Sequence, residues 1–286
     1  MMNQSIENLH LILLNIGYSE LNANWNWKDV YSPFARLYYV KEGKAKTYIN
    51  QKAYILEPGF LYLTPPFTLH NDECDSYFSL YYIHFYEKMV NQESVFDRYD
   101  FPVKIEATAL DLLLIERLHI LNPDRHLVNI DPKQYDNPPT FSQFVAYNKK
   151  LPLHVFLETQ SILSCLMSRF LKDRTRKITD KDERIHKSLQ YIHTHLNQNI
   201  SITELADLSC VSEDHFIRMF KKQMLQTPVK YINAKKLEKA QLLLLTTDWS
   251  IRNIAWELSI DNISYFNKLF KQYVGKTPLE YRKEYK

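Results

Sequence analysis

Apolar residues follow two different rhythms along this chain. From Phe34 to Phe85 they come in short runs, FARLYYV, KAKTYIN, AYIL, FLYLT and YFSLYYIHF, separated by Gly43, Glu57-Pro58-Gly59 and Pro65-Pro66. Runs rich in aromatic and β-branched residues, spaced at about ten residues, predict antiparallel strands in a small β-barrel or double-sheet jelly roll, with a hairpin turning at Gly43. Beyond Glu106 the spacing shifts to three and four. Glu106–Leu121 and Leu153–Leu171 read as helices too apolar for a solvated surface, and the Pro- and Asn-rich stretch Asn122–Thr140 as a surface loop between them. Lys172–Glu183 is dense in charge and poor in apolar residues, which predicts a linker.

The helical rhythm then becomes a repeat. After RIHKSLQYIHTHL, whose stripe is Ile185, Leu189, Ile192 and Leu196, the segment Ser201–Ile232 returns as Ser250–Tyr285. Ile202, Leu205 and Ala206 answer Ile251, Ile254 and Ala255 at an offset of 49. Phe216, Phe220, Lys221, Thr227, Pro228 and Tyr231 answer Phe266, Phe270, Lys271, Thr277, Pro278 and Tyr281 at 50, so the second copy has one extra turn residue. Each copy reads as a short helix, a turn with an N-cap at Ser212 or Asn262, and a longer helix with its apolar stripe inward. That is a helix-turn-helix, twice, with the outer face of each second helix free for a DNA major groove. Pro228 suits a first helical position, and the segment through Leu245 continues without a breaker as a rod of about 27 Å. Such a rod suits two reading heads on grooves about 34 Å apart. His186, His193 and His195 in the opening helix read as surface residues.

The order Ile-Ala, turn, Ser-Tyr-Phe, Phe-Lys, Gly-Lys-Thr-Pro and Tyr-Arg resembles the AraC/XylS family of bacterial transcription regulators, over roughly the last hundred residues. Two positions depart from that pattern: Ser259 and Ile260 stand where the family carries Gly and an aromatic, and Leu225 stands where a Gly precedes Thr-Pro. A non-Gly residue there would be held left-handed at some strain. The hairpin, the Pro-Gly turn, the Pro-Pro break, His70 and Ile-His-Phe are similar to the cupin-like sensor half of such regulators. The resemblance implies an α+β chain. Its parts are a cupin-like barrel (about 20–100) with a helical extension (about 106–171), a linker (172–183) and an all-α double helix-turn-helix domain (184–286). It further implies homodimerisation through the middle helices, against packing within one chain, and an activator acting with RNA polymerase rather than a repressor.

Charge supports the same division. From Arg184 onward there are 16 Lys and Arg against 10 Asp and Glu, whereas the preceding 183 residues hold 20 against 23. The basic excess lies with the repeat, where phosphates are expected. On the first reading helix the residues left outside the core stripe include Asp214, His215, Ile217 and Arg218; Arg218 suits guanine, Ile217 a thymine methyl and Asp214 cytosine. By resemblance Asp214, Ile217 and Arg218 fall where family members read bases. The second helix offers Ile263, Ser264, Asn267 and Lys268, with Asn267 suited to adenine. Lys221, Lys222, Arg252, Lys271 and Lys276 are better placed for phosphates.

The barrel segment is unusually aromatic. Trp25, Trp27, Tyr38, Tyr48 and Tyr82 suit stacking on a sugar, which makes a carbohydrate effector the expected ligand and core packing the plain alternative. Trp25 and Trp27 lie in a polar stretch and are the pair that core packing explains least. His70 is read first as a hydrogen-bonded structural residue and second as an effector contact. His70 and His84 lack the His-x-His spacing of a metal site, with Asp72 and Glu73 in an expected loop, so no metal, cofactor or catalysis is expected. Two rival readings are a metal-dependent cupin enzyme fused to a DNA-binding domain and a ligand-free regulator whose barrel is only a scaffold. Three cysteines without paired spacing and no leader or 18-residue apolar run point to the cytoplasm and away from a membrane.

Overall fold

The computed structural model describes residues 9–88, 93–136, 138–176 and 182–283. The chain forms two compact units, Met1–Lys88 with Tyr99–Thr175, and Met89–Arg98 with Arg176–Lys286.

The first unit begins with eight strands: β1 (Leu11–Asn22), β2 (Asn26–Val30), β3 (Ala35–Gly43), β4 (Ala45–Ile49), β5 (Lys52–Leu56), β6 (Phe60–Thr64), β7 (His70–Glu73) and β8 (Tyr77–Glu87). After α1 (Val95–Arg98), which belongs to the second unit, come β9 (Tyr99–Asp100), β10 (Lys104–Glu106), α2 (Ala109–Leu121), α3 (Pro132–Tyr135), α4 (Pro138–Lys150), α5 (Leu153–Lys172) and β11 (Thr175–Arg176). One antiparallel sheet has the order β1-β8-β3-β6-β10 and the other β2-β7-β4-β5. Both contribute to one core, with Leu21, Tyr38, Val40, Tyr62, Phe78 and Leu80 from the first sheet and Ala45 and Leu56 from the second. Gly43 turns the β3–β4 hairpin at φ +74°, where a Cβ would stand 2.1 Å from the Tyr77 carbonyl oxygen.

Several expectations are corrected here. Strands begin at Leu11 rather than near Phe34, because the apolar run at Leu11–Ile16 is buried as β1 against β8. Asp72 and Glu73 lie in a strand, paired with β2 and β4, and not in a loop. Lys104–Glu106 pairs with β6, so α2 starts later, at Ala109, behind a Thr108–Asp111 capping box. The described part of the 122–140 stretch is surface loop only in places, among them Val128. Arg125 is fully buried with its guanidinium on the Phe144 carbonyl, Tyr135 is buried, and α3 and the start of α4 lie within it.

The second unit is helical: α1, α6 (Glu183–Thr194), α7 (Ile202–Leu208), α8 (Glu213–Met224), α9 (Pro228–Thr246), α10 (Ile251–Glu257), α11 (Ile263–Val274) and α12 (Pro278–Lys283). Its two cores are separate. Ile185, Leu189, Leu205, Phe216 and Phe220 close around Tyr231 and Ile232 at the start of α9. Ile254, Leu258, Phe266 and Phe270 close around Leu237, Ala240 and Leu244 further along it. One 19-residue helix, about 28 Å long, is thereby anchored in both copies. Of the expected linker, residues 177–181 lie outside the described residues, while α5 runs to Lys172 and α6 starts at Glu183.

Candidate nucleic-acid interface and effector site

The reading helices are built alike. Ser212 accepts from the His215 amide and Asn262 from the Tyr265 amide, so each helix is capped by a side chain one turn before its first buried phenylalanine. Burying Phe216 and Phe220 in one copy, and Phe266 and Phe270 in the other, turns the opposite face outward. Asp214, His215, Arg218, Lys221 and Lys222 are exposed on α8, with Ile217 half-buried. Ser264, Lys268 and Lys271 are exposed on α11, Asn267 and Lys276 are half-buried, and Arg252 is exposed on α10. Arg218 sets its Nε 3.3 Å from the Asp214 carbonyl oxygen, one turn back. Ile263 packs partly against the second core, which limits its reach to a base. Tyr265, 49% exposed, takes the outward place of His215 in the second copy; its type suggested packing, and only the 50-residue offset would have singled it out.

The heads are tied to one another. Lys236, in the middle of α9 and 4% exposed, donates from Nζ to the Gln198 carbonyl at 2.9 Å and the Leu258 carbonyl at 2.6 Å. Burial lowers its ammonium to about 8. Ser259 donates from Oγ to the Asn197 carbonyl at 2.5 Å while holding φ at +48°. Serine at the family's glycine position therefore uses its hydroxyl to join the second turn to the first copy. Leu225 holds φ +58° at the end of α8, the left-handed geometry expected there, with no comparable compensation in its 88%-exposed side chain.

A further tie comes from far upstream in the chain. Asp97 of α1 receives the Lys235 ammonium at 2.6 Å and stands 3.2 Å from Nδ1 of His193, whose Nε2 lies 2.8 Å from the Tyr231 hydroxyl. His193 is 6% exposed and not a surface residue, because this bonding fills the space between α6 and α9. Burial opposes the Asp97 charge, but Lys235 and His193 outweigh it and hold the carboxyl below its ordinary range.

In the first unit, strand register creates a polar layer between the sheets. Asn15, His84, Arg36 and Thr64 form one cross-strand row, and Gly17, Tyr82, Tyr38 and Tyr62 the next. From the other sheet His70, Asp72 and Thr47 point to the buried side. Arg36 is 2% exposed and bonds through Nη2 to Ser32 Oγ at 2.6 Å. Its Nε, both His84 ring nitrogens, His70 Nε2, Thr47 Oγ1 and Asp72 Oδ1 are buried without a hydrogen-bond partner. Burial first, and Arg36 second, lower His70 to about 3 and keep His84 well below its ordinary range, so both rings are neutral. Burial raises Asp72 to about 6.

The aromatic candidates divide. Trp25 lies in the core, 4.7 Å from the Phe78 ring, so packing explains it after all, and Trp27 packs against the same cluster with its Nε1 unpartnered. Tyr38 and Tyr82 face the polar layer, and Tyr82 accepts from the Leu127 amide at 2.8 Å across Gly17. Tyr48 is corrected: strand alternation turns it to the outer face, onto Glu73 at 3.1 Å, away from Thr47 and the interior. At the centre of the layer, Arg36 is not among the residues the sequence singles out, and His84 is weighed there only as a metal ligand; their pairing in register is the signal that finds them.

A family described as "Helix-turn-helix domain" matches residues 205–284. The chain is 26% identical over 268 residues to the uncharacterized HTH-type transcriptional regulator YisR of Bacillus subtilis, covering 90% of this chain and 88% of that one. It is 34% identical over 110 residues to the regulatory protein PocR of Salmonella typhimurium, covering 38% of this chain and 36% of PocR. The chain carries an AraC-type helix-turn-helix domain near its C-terminal end and is similar along most of its length to a transcriptional regulator. Among solved structures, fatty acid-bound ToxT of Vibrio cholerae matches with a TM-score of 0.47 at 14% identity, over 98% of this chain and 97% of ToxT. The AraC-type likeness is densest in the helical unit, and the strand-rich unit is aligned chiefly through YisR.

Proposed function

We propose that this AraC-type regulator reads two neighbouring major-groove segments of double-stranded DNA through α8 and α11, under control of a small molecule taken up by the strand-rich unit. The observation that carries the reading is the matched pair of outward faces on α8 and α11, joined by a helix anchored in both cores. Asp214, His215, Ile217 and Arg218 read bases in one groove; Ser264, Asn267 and Lys268, joined by Tyr265, do so in the other, with Ile263 at the margin. Lys221, Lys222, Arg252, Lys271 and Lys276 hold phosphates. The unit of residues 1–88 and 99–175 acts as sensor, and the unit of residues 89–98 and 176–286 as the DNA-binding part.

For the effector, buried polar atoms without partners support a polar ligand, since such atoms are costly unless something meets them. A carbohydrate is the class to test first, with Tyr38, Tyr82, His70 and Trp27 at hand. Homodimerisation is supported by Leu110, Leu113 and Ile120 on α2 and Leu157 on α5, which are between 54 and 70% exposed. Activation through RNA polymerase in the cytoplasm follows the family resemblance. Among the described residues no helix is long and apolar enough to cross a membrane.

The DNA reading is tested by operator selection followed by binding titrations. Arg218→Ala should lose discrimination at one base position, while Lys222→Ala should weaken all operators alike and lower the salt slope by about 1. Equal weakening across operators by both would overturn that division. A thermal-shift screen of the full chain against sugars and acids tests the effector, since a ligand at a hundred times its dissociation constant adds about 2.7 kcal/mol.

A further inference from the structure

We propose that Asp136 is a built-in occupant of an anion site on Arg36, and that the effector carries a carboxylate which takes its place. The proposal rests on the effector reading above and names the ligand's chemistry.

The counter-charge of Arg36 comes from outside the sheets. Asp136 follows α3, its side chain is 15% exposed, and its Oδ2 stands 3.8 Å from Arg36 Nη2, with the Ser32 hydroxyl donating to it from between. A carboxylate engaged by the guanidinium fork sits at about 2.7–2.9 Å, so this pair is made loosely and through an intermediary. Around it the unpartnered groups are mixed: Arg36 Nε, Thr47 Oγ1 and the one N–H of His84 can donate, while the other His84 nitrogen, Asp72 Oδ1, Asn15 Oδ1 and His70 Nε2, whose ring gives its proton to the Thr68 carbonyl at 3.0 Å, accept. What favours an anion is Arg36 itself, whose Nε is unpartnered and whose Nη2 holds its carboxylate only at 3.8 Å.

The segment that supplies Asp136 also closes the route. Tyr135 stacks on His84 at 5.4 Å between centroids, and its hydroxyl is 3.5 Å from Arg36 Nη2. The same ring lines a cavity of about 210 Å³ together with Leu127, Asn129, Gln143 and Phe144. Movement of α3 therefore joins that cavity to the polar layer and removes the Asp136 charge in one step. A neutral ligand doing so would leave Asp72 as the carboxylate still acting on the buried guanidinium, whereas a carboxylate replaces Asp136 with like. Burial holds the Asp136 carboxyl up at about 6, in keeping with a charge held less well than its pairing suggests.

Acetate is the smallest probe of this site. In thermal-shift titrations of the full chain, with sodium chloride at equal ionic strength as reference, Asp136→Asn should bind acetate at least about tenfold more tightly than wild type, where the tethered carboxylate competes. The gain should vanish in Asp136→Asn with Arg36→Met, a pair that removes both charges together and is expected to keep the fold. Equal acetate affinity in wild type and Asp136→Asn, or a gain that survives loss of Arg36, overturns the proposal. Matched probes on the wild-type chain need no variant to fold: galacturonate against galactose, and benzoate against benzyl alcohol. Stabilisation by an acid and not by its neutral partner supports the carboxylate. Stabilisation by a neutral member at least equal to its acid overturns it, while leaving the effector reading standing.

Discussion

The two helix-turn-helix copies share a skeleton and differ in nearly everything that faces outward. Each has a capped reading helix, two fully buried phenylalanines four residues apart and a left-handed residue at the helix end. Yet Asp214, His215, Ile217 and Arg218 in one stand where the other has Ser264, Tyr265, Asn267 and Lys268. The left-handed end is Leu225 in one and Gly275 in the other, and the turn residue is Cys210 at φ +53° or Ser259 at φ +48°. Burial fixes the skeleton, because a core phenylalanine has few substitutes. Nothing comparable constrains the outward face, so the copies can read different half-sites from one geometry.

The largest test of equivalence is in the cores. Phe216→Ala and Phe266→Ala should each cost about 3–5 kcal/mol in denaturant unfolding, and markedly unequal losses would show that one copy depends on the other. Next comes the tie between them. Lys236→Met leaves two carbonyls without their donor and should cost about 1–3 kcal/mol. Its pH dependence has a definite sign. With the folded ammonium at about 8 against an ordinary 10.5, the unfolded chain holds more protons between those values. Stability should therefore rise with pH through that window in wild type relative to Lys236→Met.

At the DNA face, Arg218→Ala should cost about 1–3 kcal/mol at one base position, and Lys268→Ala less than that, because the rigid guanidinium fork is pre-organised for the two guanine acceptors and the flexible, strongly hydrated ammonium is not. Competition binding with single-base operator variants measures both. The smallest effect separates the two left-handed residues. Leu225→Gly should stabilise by roughly 1 kcal/mol through relief of strain. Ser259→Gly gains similar relief but loses the bond to Asn197, leaving a net change near zero. Equal stabilisation by both, read from denaturant midpoints, would remove the structural role given to the Ser259 hydroxyl.

Legibility followed the length of the pattern. The helical unit was readable because two long stripes recur at a fixed offset, and Ser212, Asn262 and Pro228 mark the helix starts by local chemistry. In the strand-rich unit Gly43, Pro58-Gly59 and Pro65-Pro66 marked the turns, but β7 reads His-Asn-Asp-Glu and carries no apolar alternation at all. Its inward residues are the polar ones, so composition placed it in a loop. The polar layer was invisible for a related reason: pairing of β3 with β8 sets Arg36 beside His84, while His70 comes from a strand of the other sheet, and neither relation is written in the local sequence. Trp25 misled in the opposite direction, since polar neighbours in sequence concealed apolar neighbours in space.

Asp97 gives the second unit a contour that its sequence boundaries do not have. A cut at Arg184 yields a tidy stretch with both reading heads, yet it severs the carboxylate that Lys235 and His193 share. The DNA-binding part is thus not a cassette that can be grafted onto another sensor by joining ends. A working chimera must also carry over Glu93–Arg98, the piece of it that the chain delivers early, directly after the strand that holds His84.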